Sequence, residues 1–411
     1  MMRKRLPERG LPWPELAAAL EAAKAGDYSW RRGRVAVFIY YLDEALERVQ
    51  KEAYLAYFTE NALGQRAFPS LAKLEREVVE MGLSLLHAPP EAGGTFTSGG
   101  SESIFLALLA ARERAGRAHP NIVLAESAHL TFDRAAWYLG MAVRRIPLAA
   151  GYVADVPAMA AATDQDTIAL IASAPCYPYG TIDDIPALAA LAQEKGVWLH
   201  VDACVGGFLS PFLERLGHAL PPWDFRVPGV TSISADLHKH GMAAKGASLL
   251  LVADDAWRAY HRFASSAWPR GPYVSYVAQG TRPGGAVAAA WAVMHSLGEE
   301  GYLRAARRIL DAKARLSAGL RAVGAFEVLE PSPHAMLVFR PRDPALDAGR
   351  IAAAMDARGW LPSRMSDGRG FHLHLNPIHD QVVEEYLAHL GESLAEATAG
   401  AGEGAAPGPA Y

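Results

Sequence analysis

The segment SISADLHKHGMAAKGASLLL, residues 232–251, holds two lysines and two histidines between two apolar, strand-like runs. Lysines usually lie on solvated faces, but Lys239 and Lys245 are flanked by small residues and glycine. Small residues let a backbone approach another group closely. The segment therefore predicts two strands joined by a loop at which a ligand binds.

Apolar runs alternate with helical patterns on both sides of this segment. The runs are NIVLAE, MAVRRIPL, TIALIASA, VWLHVDA, VTSISAD and ASLLLVA, and segments such as DRAAWYLG and IPALAALAQEKG lie between them. The alternation predicts an α/β fold with a parallel sheet covered by helices on both faces. Helices are also predicted over 15–25, 43–61 and 70–88, with Ser70 as the cap of the third.

The sequence is expected to divide into four regions. They are an N-terminal helical segment (1–69), a large domain (70–300), a small C-terminal α+β domain (301–395) and a disordered tail (396–411) rich in small residues and proline. The sequence changes character after Gly284, where two helical patterns precede the strand-like runs FEVLE, AMLVFRP and FHLHL. This change suggests the smaller domain.

Composition narrows the classes of partner. The net charge of −4 gives no reason to expect nucleic acid or an anionic membrane. The two cysteines, Cys176 and Cys204, suit a reducing cytoplasm better than a disulfide framework. No run of about 18 apolar residues predicts a transmembrane segment, and the first residues do not read as a secretory signal. A cytoplasmic protein with a small-molecule ligand is expected.

Four features that could bind a ligand follow one another along the chain. They are the glycine-rich GGTFTSGGSES before a helix, His129 after a strand, Asp202 at the end of a strand, and Lys239 after a strand. Each alone could be structural, as a capped turn, a buried histidine, a cap or a solvated lysine. Neither the P-loop pattern nor G-x-G-x-x-G is present, and no ligand spacing predicts a metal. Their order predicts a pyridoxal phosphate site, which needs a lysine, a carboxylate, a stacking ring and a phosphate cradle.

The chain resembles the sphingosine-1-phosphate lyase branch of the group II pyridoxal phosphate-dependent decarboxylases. The motifs that carry the resemblance are TSGGSESI, HVDACVGGFLSPF, SISADLHKHGMAAKG and GTRPGGAVAAAWAVMHSLGEEGYL. The likeness extends from about Leu6 to the last helix. It implies pyridoxal phosphate fold type I (aspartate aminotransferase-like), with a mainly parallel sheet between helices and a smaller C-terminal α+β domain. It also implies an obligate homodimer with shared active sites.

The resemblance assigns expected roles in the cofactor pocket. Lys239 would form the Schiff base with pyridoxal 5'-phosphate, Asp202 would pair with the ring nitrogen, and His129 would stack on the ring. His238 and the 100–101 segment would hold the phosphate. The cofactor-binding residues implied are Gly100, Ser101, His129, Asp202, Cys204, His238, Lys239, Gly280 and Thr281.

The same resemblance implies contacts beyond the cofactor pocket. Tyr40, Asn61 and Lys245 would contact the substrate, and Tyr40 and Lys245 would join Lys239, His129 and Asp202 as catalytic residues. The alternative for Lys245, without a functional role, is a solvated loop lysine. Gly280 and Thr281 would reach the cofactor of the partner subunit. No metal is implied.

The chain departs from the branch around the expected substrate pocket. Gly64 replaces a histidine, His240 and Met242 replace two tyrosines, and the Tyr40 segment reads AVFIYYL. The first hypothesis is a lyase that cleaves Cα–Cβ of a phosphorylated amino alcohol, such as a sphingoid base, to an aldehyde and phosphoethanolamine. The alternative is an amino-acid decarboxylase, and a binding protein without turnover is a third. In either enzyme, Lys239 is a candidate acid and base for final protonation and release.

Overall fold

A computed structural model describes residues 3–329 and 332–399. Its strands are β1 Gly93–Thr97, β2 Asn121–Ala125, β3 Ala142–Ile146, β4 Leu148–Ala149, β5 Val153–Ala154, β6 Thr167–Ser173, β7 Trp198–Asp202, β8 Ser232–Ala235, β9 Ser248–Val252, β10 Phe263–Ser265, β11 Tyr273–Ser275, β12 Phe326–Leu329, β13 Met336–Pro341 and β14 Phe371–His374. Its α-helices are α1 Trp13–Ala23, α2 Glu44–Ala56, α3 Pro69–Leu85, α4 Gly100–Ala115, α5 Thr131–Leu139, α6 Val156–Ala162, α7 Ile185–Lys195, α8 Ser210–Arg215, α9 Gly284–Val323, α10 Ala348–Ala357 and α11 Val383–Ala399. The apolar runs of the sequence thus become strands, as predicted.

The central sheet has seven strands in the order β1-β9-β8-β7-β6-β2-β3. Neighbours from β3 to β8 are parallel, whereas β9 is antiparallel to both β8 and β1. The mainly parallel α/β sheet is confirmed. The antiparallel β9 differs from the expected pattern because residues 236–247, all of them described, form no crossover helix, so the chain returns directly. The glycine-rich GGTFT forms the edge strand β1.

The inner strands are buried on both faces, which explains their continuous apolar sequences. In β2, Val123 packs into one hydrophobic core, while Ile122 and Leu124 pack into the core on the opposite side. In β7, Leu199 packs into the same core as Val123, and Trp198 packs into the core on the opposite side. Successive strand residues point to opposite faces, so both faces need apolar side chains.

The C-terminal part is built on the long helix α9 and a three-stranded antiparallel sheet, β12-β13-β14. Gly298 has φ 52° and ψ −173°, which interrupts α9 between the two helices that the sequence predicted. Phe339 stacks on Phe371 with ring centroids 5.1 Å apart. This core also includes Phe212 from α8, so it extends beneath the sheet domain. The boundary at residue 300 remains a prediction.

The helix ends differ from the predictions by a few residues. Pro69 occupies the first turn of α3, so Ser70 lies inside the helix and does not cap it. The predicted helix 43–61 ends at Ala56. The last helix continues to Ala399, four residues into the tail expected at 396–411, and 400–411 lie outside the described residues. Within the described ranges, no helix is both long and apolar enough to cross a bilayer.

Candidate active site

A cavity of about 510 Å³ opens at the carboxyl ends of β6, β7 and β8. Open α/β sheets bind ligands at this edge. The predicted site residues that line it are Tyr40, Gly100, Ser101, His129, Asp202, Cys204, His238, Lys239 and Lys245. The structure therefore brings nine predicted residues from five regions of sequence into one cavity.

An ion pair between Lys239 and Asp236 forms the floor of the cavity. Lys239 Nζ lies 3.0 Å from Oδ2 of Asp236, whose side chain is almost fully buried. Burial alone would lower the pKa of Lys239, but the neighbouring carboxylate outweighs it and raises that pKa. Burial alone would raise the pKa of Asp236, yet Lys239 and His238 hold it below its ordinary value. Asp236 was not among the predicted site residues, although it ends the run VTSISAD.

The start of α4 forms a cradle for an anion. A Cβ on Gly100 would lie 2.6 Å from Cys204 Sγ and 2.8 Å from Asp236 Oδ2, so only glycine fits. Glu102 Oε2 accepts hydrogen bonds from the backbone N–H and the hydroxyl of Ser98, at 2.6 and 2.7 Å, and holds the preceding loop. The first N–H groups of a helix have no partner inside the helix and attract anions. This arrangement suits a phosphate group.

His129 and Asp202 lie on the wall of the same cavity. The His129 Nδ1 accepts a hydrogen bond from Thr131 N at 3.2 Å, which fixes the ring, and burial lowers its pKa. Asp202 Oδ1 accepts from Cys204 N at 3.0 Å and from the Ser234 hydroxyl at 3.3 Å. Both bonds use one carboxylate oxygen. The other oxygen is available to a protonated ring nitrogen.

Lys245 and Tyr40 lie together at the mouth of the cavity. Lys245 Nζ donates a hydrogen bond to the carbonyl oxygen of His238 at 3.0 Å and lies 4.8 Å from the centroid of the Tyr40 ring. Lys245 is exposed at this mouth, yet its partial enclosure by these groups and the charge of Lys239 lower its pKa to about 8. The solvated-lysine interpretation is therefore incomplete, because this ammonium faces the cavity.

Two aromatic residues of the cavity were not predicted from the sequence. Phe38 is 52% exposed and has φ 61°, within a tight turn closed by a 2.7 Å hydrogen bond from Ile39 N to Val37 O. A positive φ is strained for a bulky residue. Tyr177 follows β6 and also lines the cavity. The unusual sequence AVFIYYL was the available signal for Phe38, and nothing in the sequence indicated Tyr177.

Three predicted site residues do not line this cavity. Asn61 Oδ1 accepts hydrogen bonds from the N–H groups of Leu63 and Gly64, at 3.2 and 3.1 Å, so its carboxamide shapes a turn. Gly280 and Thr281 are exposed. Their expected contacts with substrate or with a second subunit remain predictions.

The cavity fits pyridoxal 5'-phosphate by its own features. The helix start provides a phosphate cradle, and Lys239 provides an amine. Asp202 provides a carboxylate for a protonated ring nitrogen. The buried Oδ1 of Asp236 has no hydrogen-bond partner among the described residues. An unsatisfied buried acceptor of this kind lowers the stability of the fold. A polar ligand beside Lys239 would relieve that cost.

Fold and site together define the class. The chain belongs to the family of the pyridoxal-dependent decarboxylase conserved domain, which matches residues 54–342. Its cofactor is pyridoxal 5'-phosphate, its fold is type I, and the protein is a pyridoxal phosphate-dependent lyase.

Individual relatives narrow the class further. The chain is 36% identical over 399 residues to sphingosine-1-phosphate lyase 1 of Mus musculus, covering 96% of this chain and 70% of the relative. The solved structure of a sphingosine-1-phosphate lyase from Burkholderia pseudomallei has a TM-score of 0.91 at 37% identity, covering 96% of this chain and 93% of the other. A probable L-aspartate decarboxylase of Pyrococcus furiosus is 34% identical over 368 residues, covering 87% and 94%. The resemblance expected from the motifs is confirmed.

Proposed function

We propose that the protein cleaves the Cα–Cβ bond of a phosphorylated amino alcohol, as a sphingosine-1-phosphate lyase does, to give an aldehyde and phosphoethanolamine. The observation that carries this proposal is the joint presence of Lys239 and Lys245 in one cavity. One lysine suffices to hold the cofactor, and the second gives a cation for a substrate phosphate. Whole-chain likeness to proteins named as such lyases supports the same substrate class.

The proposed roles of the cofactor-site residues follow from their contacts. When bound, pyridoxal phosphate supplies an electron sink for the pair of electrons left by bond cleavage. Lys239 would anchor it covalently, and Asp202 would keep its ring nitrogen protonated. His129 would stack against the ring. The backbone at 100–101 would bind its phosphate.

His238 and Cys204 complete this proposed set. His238 lies within 3.6 Å of Asp236 Oδ2 and its pKa is lowered by burial, so it would meet the phosphate as a neutral hydrogen-bonding group. Cys204 is fully enclosed, and burial raises the pKa of its thiol well above the ordinary value. The thiol therefore serves as a small apolar wall and not as a nucleophile.

The substrate side would use the mouth of the cavity. Lys245 would bind the substrate phosphate through its ammonium group, and Tyr40 would contact the reacting part of the substrate. Their mutual contact, 4.8 Å from Nζ to the ring centroid, keeps both groups close to Lys239. Asn61 would act indirectly, by shaping the turn next to Pro283, where the two residues form a backbone bridge.

A homodimer with shared sites is part of the proposal. Gly280 and Thr281 are exposed beside the site, and Tyr138 and Gln279 line the same surface groove as Ser101. Trp137 and Tyr138 next to it are 75% and 63% exposed. Such an apolar patch beside an active site suits contact with a second copy.

The two cysteines are free and buried, which supports the expected cytoplasmic location.

An amino-acid decarboxylase is the second candidate. The likeness to the Pyrococcus furiosus protein extends over 94% of that chain and favours it. Gly64, His240 and Met242 also stand where the lyase branch has other residues, and His240 and Met242 are buried close to Lys239. These substitutions alter the substrate side without removing a cofactor residue.

A product assay separates the two candidates. The purified protein with pyridoxal phosphate would be incubated with sphingosine-1-phosphate and, separately, with a panel of amino acids, and products identified by mass spectrometry. A long-chain aldehyde with phosphoethanolamine is the expected result. An amine lighter than its parent amino acid by carbon dioxide would establish the decarboxylase and reject the lyase.

A further inference from the structure

Behind Tyr40 lies a cluster of three buried histidines. His240, His334 and His374 are 2%, 0% and 1% exposed. Their ring centroids are 4.9 Å apart for His240 and His374, and 6.0 Å apart for His240 and His334. Tyr40 contacts His240 and His374 edge-to-face, each at 5.2 Å. The cluster thus joins the cavity wall to the small C-terminal sheet.

Of the three rings, His374 is the one that reaches the hydroxyl group of Tyr40. The distance from its Nδ1 to Tyr40 Oη is 3.3 Å. His240 directs its two nitrogens at the carbonyl oxygens of Val205 and Leu375, at 3.2 and 3.3 Å. The Nε2 of His334 lies 3.2 Å from the Ser210 hydroxyl. Each ring therefore has a distinct set of partners.

The surroundings of His374 select its tautomer. Its Nε2 is buried and has no hydrogen-bond partner in the described part of the chain. A neutral imidazole carries one N–H, and a buried N–H without an acceptor is rarer and more costly than an unsatisfied acceptor. The proton therefore belongs on Nδ1, where Tyr40 Oη can accept it.

We infer that His374 is a positioning residue that donates a hydrogen bond from Nδ1 to Tyr40 Oη and so turns the hydroxyl hydrogen of Tyr40 toward the cavity. Because the phenol oxygen accepts from His374, its own hydrogen is free to point at the substrate. Tyr40 thereby becomes a proton donor. The inference rests on the proposed bond-cleaving function, but it holds for either candidate reaction.

Both candidate reactions need such a donor. Cleavage of a bond at Cα leaves an electron pair on that carbon, and a proton must be added to form the product C–H bond. In this step the Oη–H bond of Tyr40 breaks, its electron pair stays on the oxygen, and the proton moves to Cα. The Nδ1–H of His374 stabilises the phenolate, which then recovers a proton from solvent. This step gives Tyr40 the final protonation for which Lys239 was the candidate, and Lys239 keeps its role in product release.

The protonation states of the two groups agree with this direction. Its enclosed position raises the pKa of Tyr40, so it enters the reaction with its proton. Burial, with repulsion from His240, His372, Lys239 and His334, lowers the pKa of His374 well below the ordinary value. His374 is therefore a neutral donor and not a cation at neutral pH.

Kinetics of three variants test the inference. His374→Leu removes the donor and is expected to lower kcat for sphingosine-1-phosphate by about 10²-fold without a comparable change in KM, with a larger solvent deuterium isotope effect because protonation becomes slow. His374→Asn keeps an N–H donor on Cγ and is expected to recover most of that loss. His334→Leu is the matched control, because it loses a buried imidazole that does not contact Tyr40, and kcat should change less than twofold.

A double variant separates positioning from folding. In a Tyr40→Phe background, His374→Leu should lower kcat by less than twofold, because the group it positions is already absent. Additive losses would overturn the inference, as would a His374→Asn protein no more active than His374→Leu. Equal losses in the two leucine variants at His374 and His334 would assign the cluster a purely structural role.

Neutron diffraction from the deuterated holoenzyme tests the hydrogen position without turnover. Deuterium on Nδ1 of His374, with the Tyr40 O–D directed into the cavity, is the expected result. Deuterium on Nε2 alone would reject the inference, even if the lyase activity were established. Conversely, if the product assay found neither candidate reaction while deuterium lay on Nδ1, the proposed function would fail and the positioning would stand.

Discussion

The two sides of the cavity are built in different ways. The proposed cofactor side lies at the carboxyl ends of strands in the central sheet and at the start of α4. Its residues are Gly100, His129, Asp202, Asp236 and Lys239. The proposed substrate side, lined by Phe38, Tyr40 and Lys245 with His240 and His374 packed behind Tyr40, combines an N-terminal loop, the β8–β9 connection and the small C-terminal sheet. On the proposed cofactor side, Gly100, His129, Asp202 and Lys239 are residues that the family resemblance implies, and Asp236 was not predicted. The departures from the branch, among them His240, lie closer to the proposed substrate side, where the proposal expects specificity to differ.

Loss of Lys239 should have the largest effect and would test the cofactor side directly. In Lys239→Ala, the covalent anchor for the cofactor is absent, so activity should fall by roughly 10³-fold or more. The absorbance band of the bound cofactor should also be lost, as measured by spectroscopy of the dialysed protein. Lys195→Ala, which removes a surface lysine paired with Glu194, is the control and should leave both unchanged. A normal band in Lys239→Ala would overturn the assignment of the cofactor side.

Gly100→Ala should weaken binding of the cofactor and leave binding of the substrate unchanged. The added methyl would meet Cys204 Sγ at 2.6 Å, and overpacking of this kind costs about 1–3 kcal/mol. Cofactor affinity should therefore fall roughly 5- to 150-fold, measured by fluorescence titration of the apoprotein with pyridoxal phosphate. Gly391→Ala, a helical position with open space, is the control. Equal affinities in the two variants would mean that the cradle does not hold the phosphate.

The substrate side should depend on pH through Lys245. Its pKa of about 8 means that its ammonium group loses its proton as the pH rises above that value. If that ammonium group binds the substrate phosphate, kcat/KM should fall up to about tenfold per pH unit above 8. Lys245→Arg should remove this alkaline limb, because arginine keeps its charge. A limb that persists in Lys245→Arg would assign it to another group and return Lys245 to the solvated-lysine interpretation.

Phe38→Ala should have the smallest effect and would sharpen the comparison. Removing an exposed, strained aromatic from the cavity mouth should change kcat/KM by about two- to tenfold, in a manner that depends on substrate chain length. Activities on phosphorylated amino alcohols of graded chain length measure this effect. Tyr260→Ala, another partly exposed aromatic outside the cavity, is the control. A uniform change across chain lengths would exclude a role for Phe38 in specificity.

The contrast between the two sides also explains what the sequence could predict. Asp202 and Lys239 follow apolar runs that are recognisable as strands, so their common edge of the sheet could be inferred from the sequence alone. His374 lies 334 positions from Tyr40, and its strand FHLH gives no sign of which residue it contacts. Pairings between distant segments depend on packing, which local patterns do not encode.

Other differences between the sequence predictions and the structure have local causes. The antiparallel β9 follows from the absence of a helix between β8 and β9, although its apolar run looks like that of its parallel neighbours. Asp236 ends a strand-like run as Asp202 does, and the sequence pattern does not show that its carboxylate pairs with Lys239. Ser70 looked like a helix cap, but Pro69 starts the helix one residue earlier.

The Glu102 side chain joins the loop before α4 to the segment that precedes Gly280 and Thr281. One of its oxygens holds Ser98 in the loop before α4, and the other accepts hydrogen bonds from the N–H groups of Ala278 and Gln279, at 2.8 and 3.2 Å. The latter residues precede Gly280 and Thr281, which the proposed dimer places against the neighbouring subunit. If the proposed dimer forms, this single carboxylate would link cofactor binding and subunit association thermodynamically. Dilution that separates the subunits would loosen the cofactor, and saturation with cofactor would hold the subunits together.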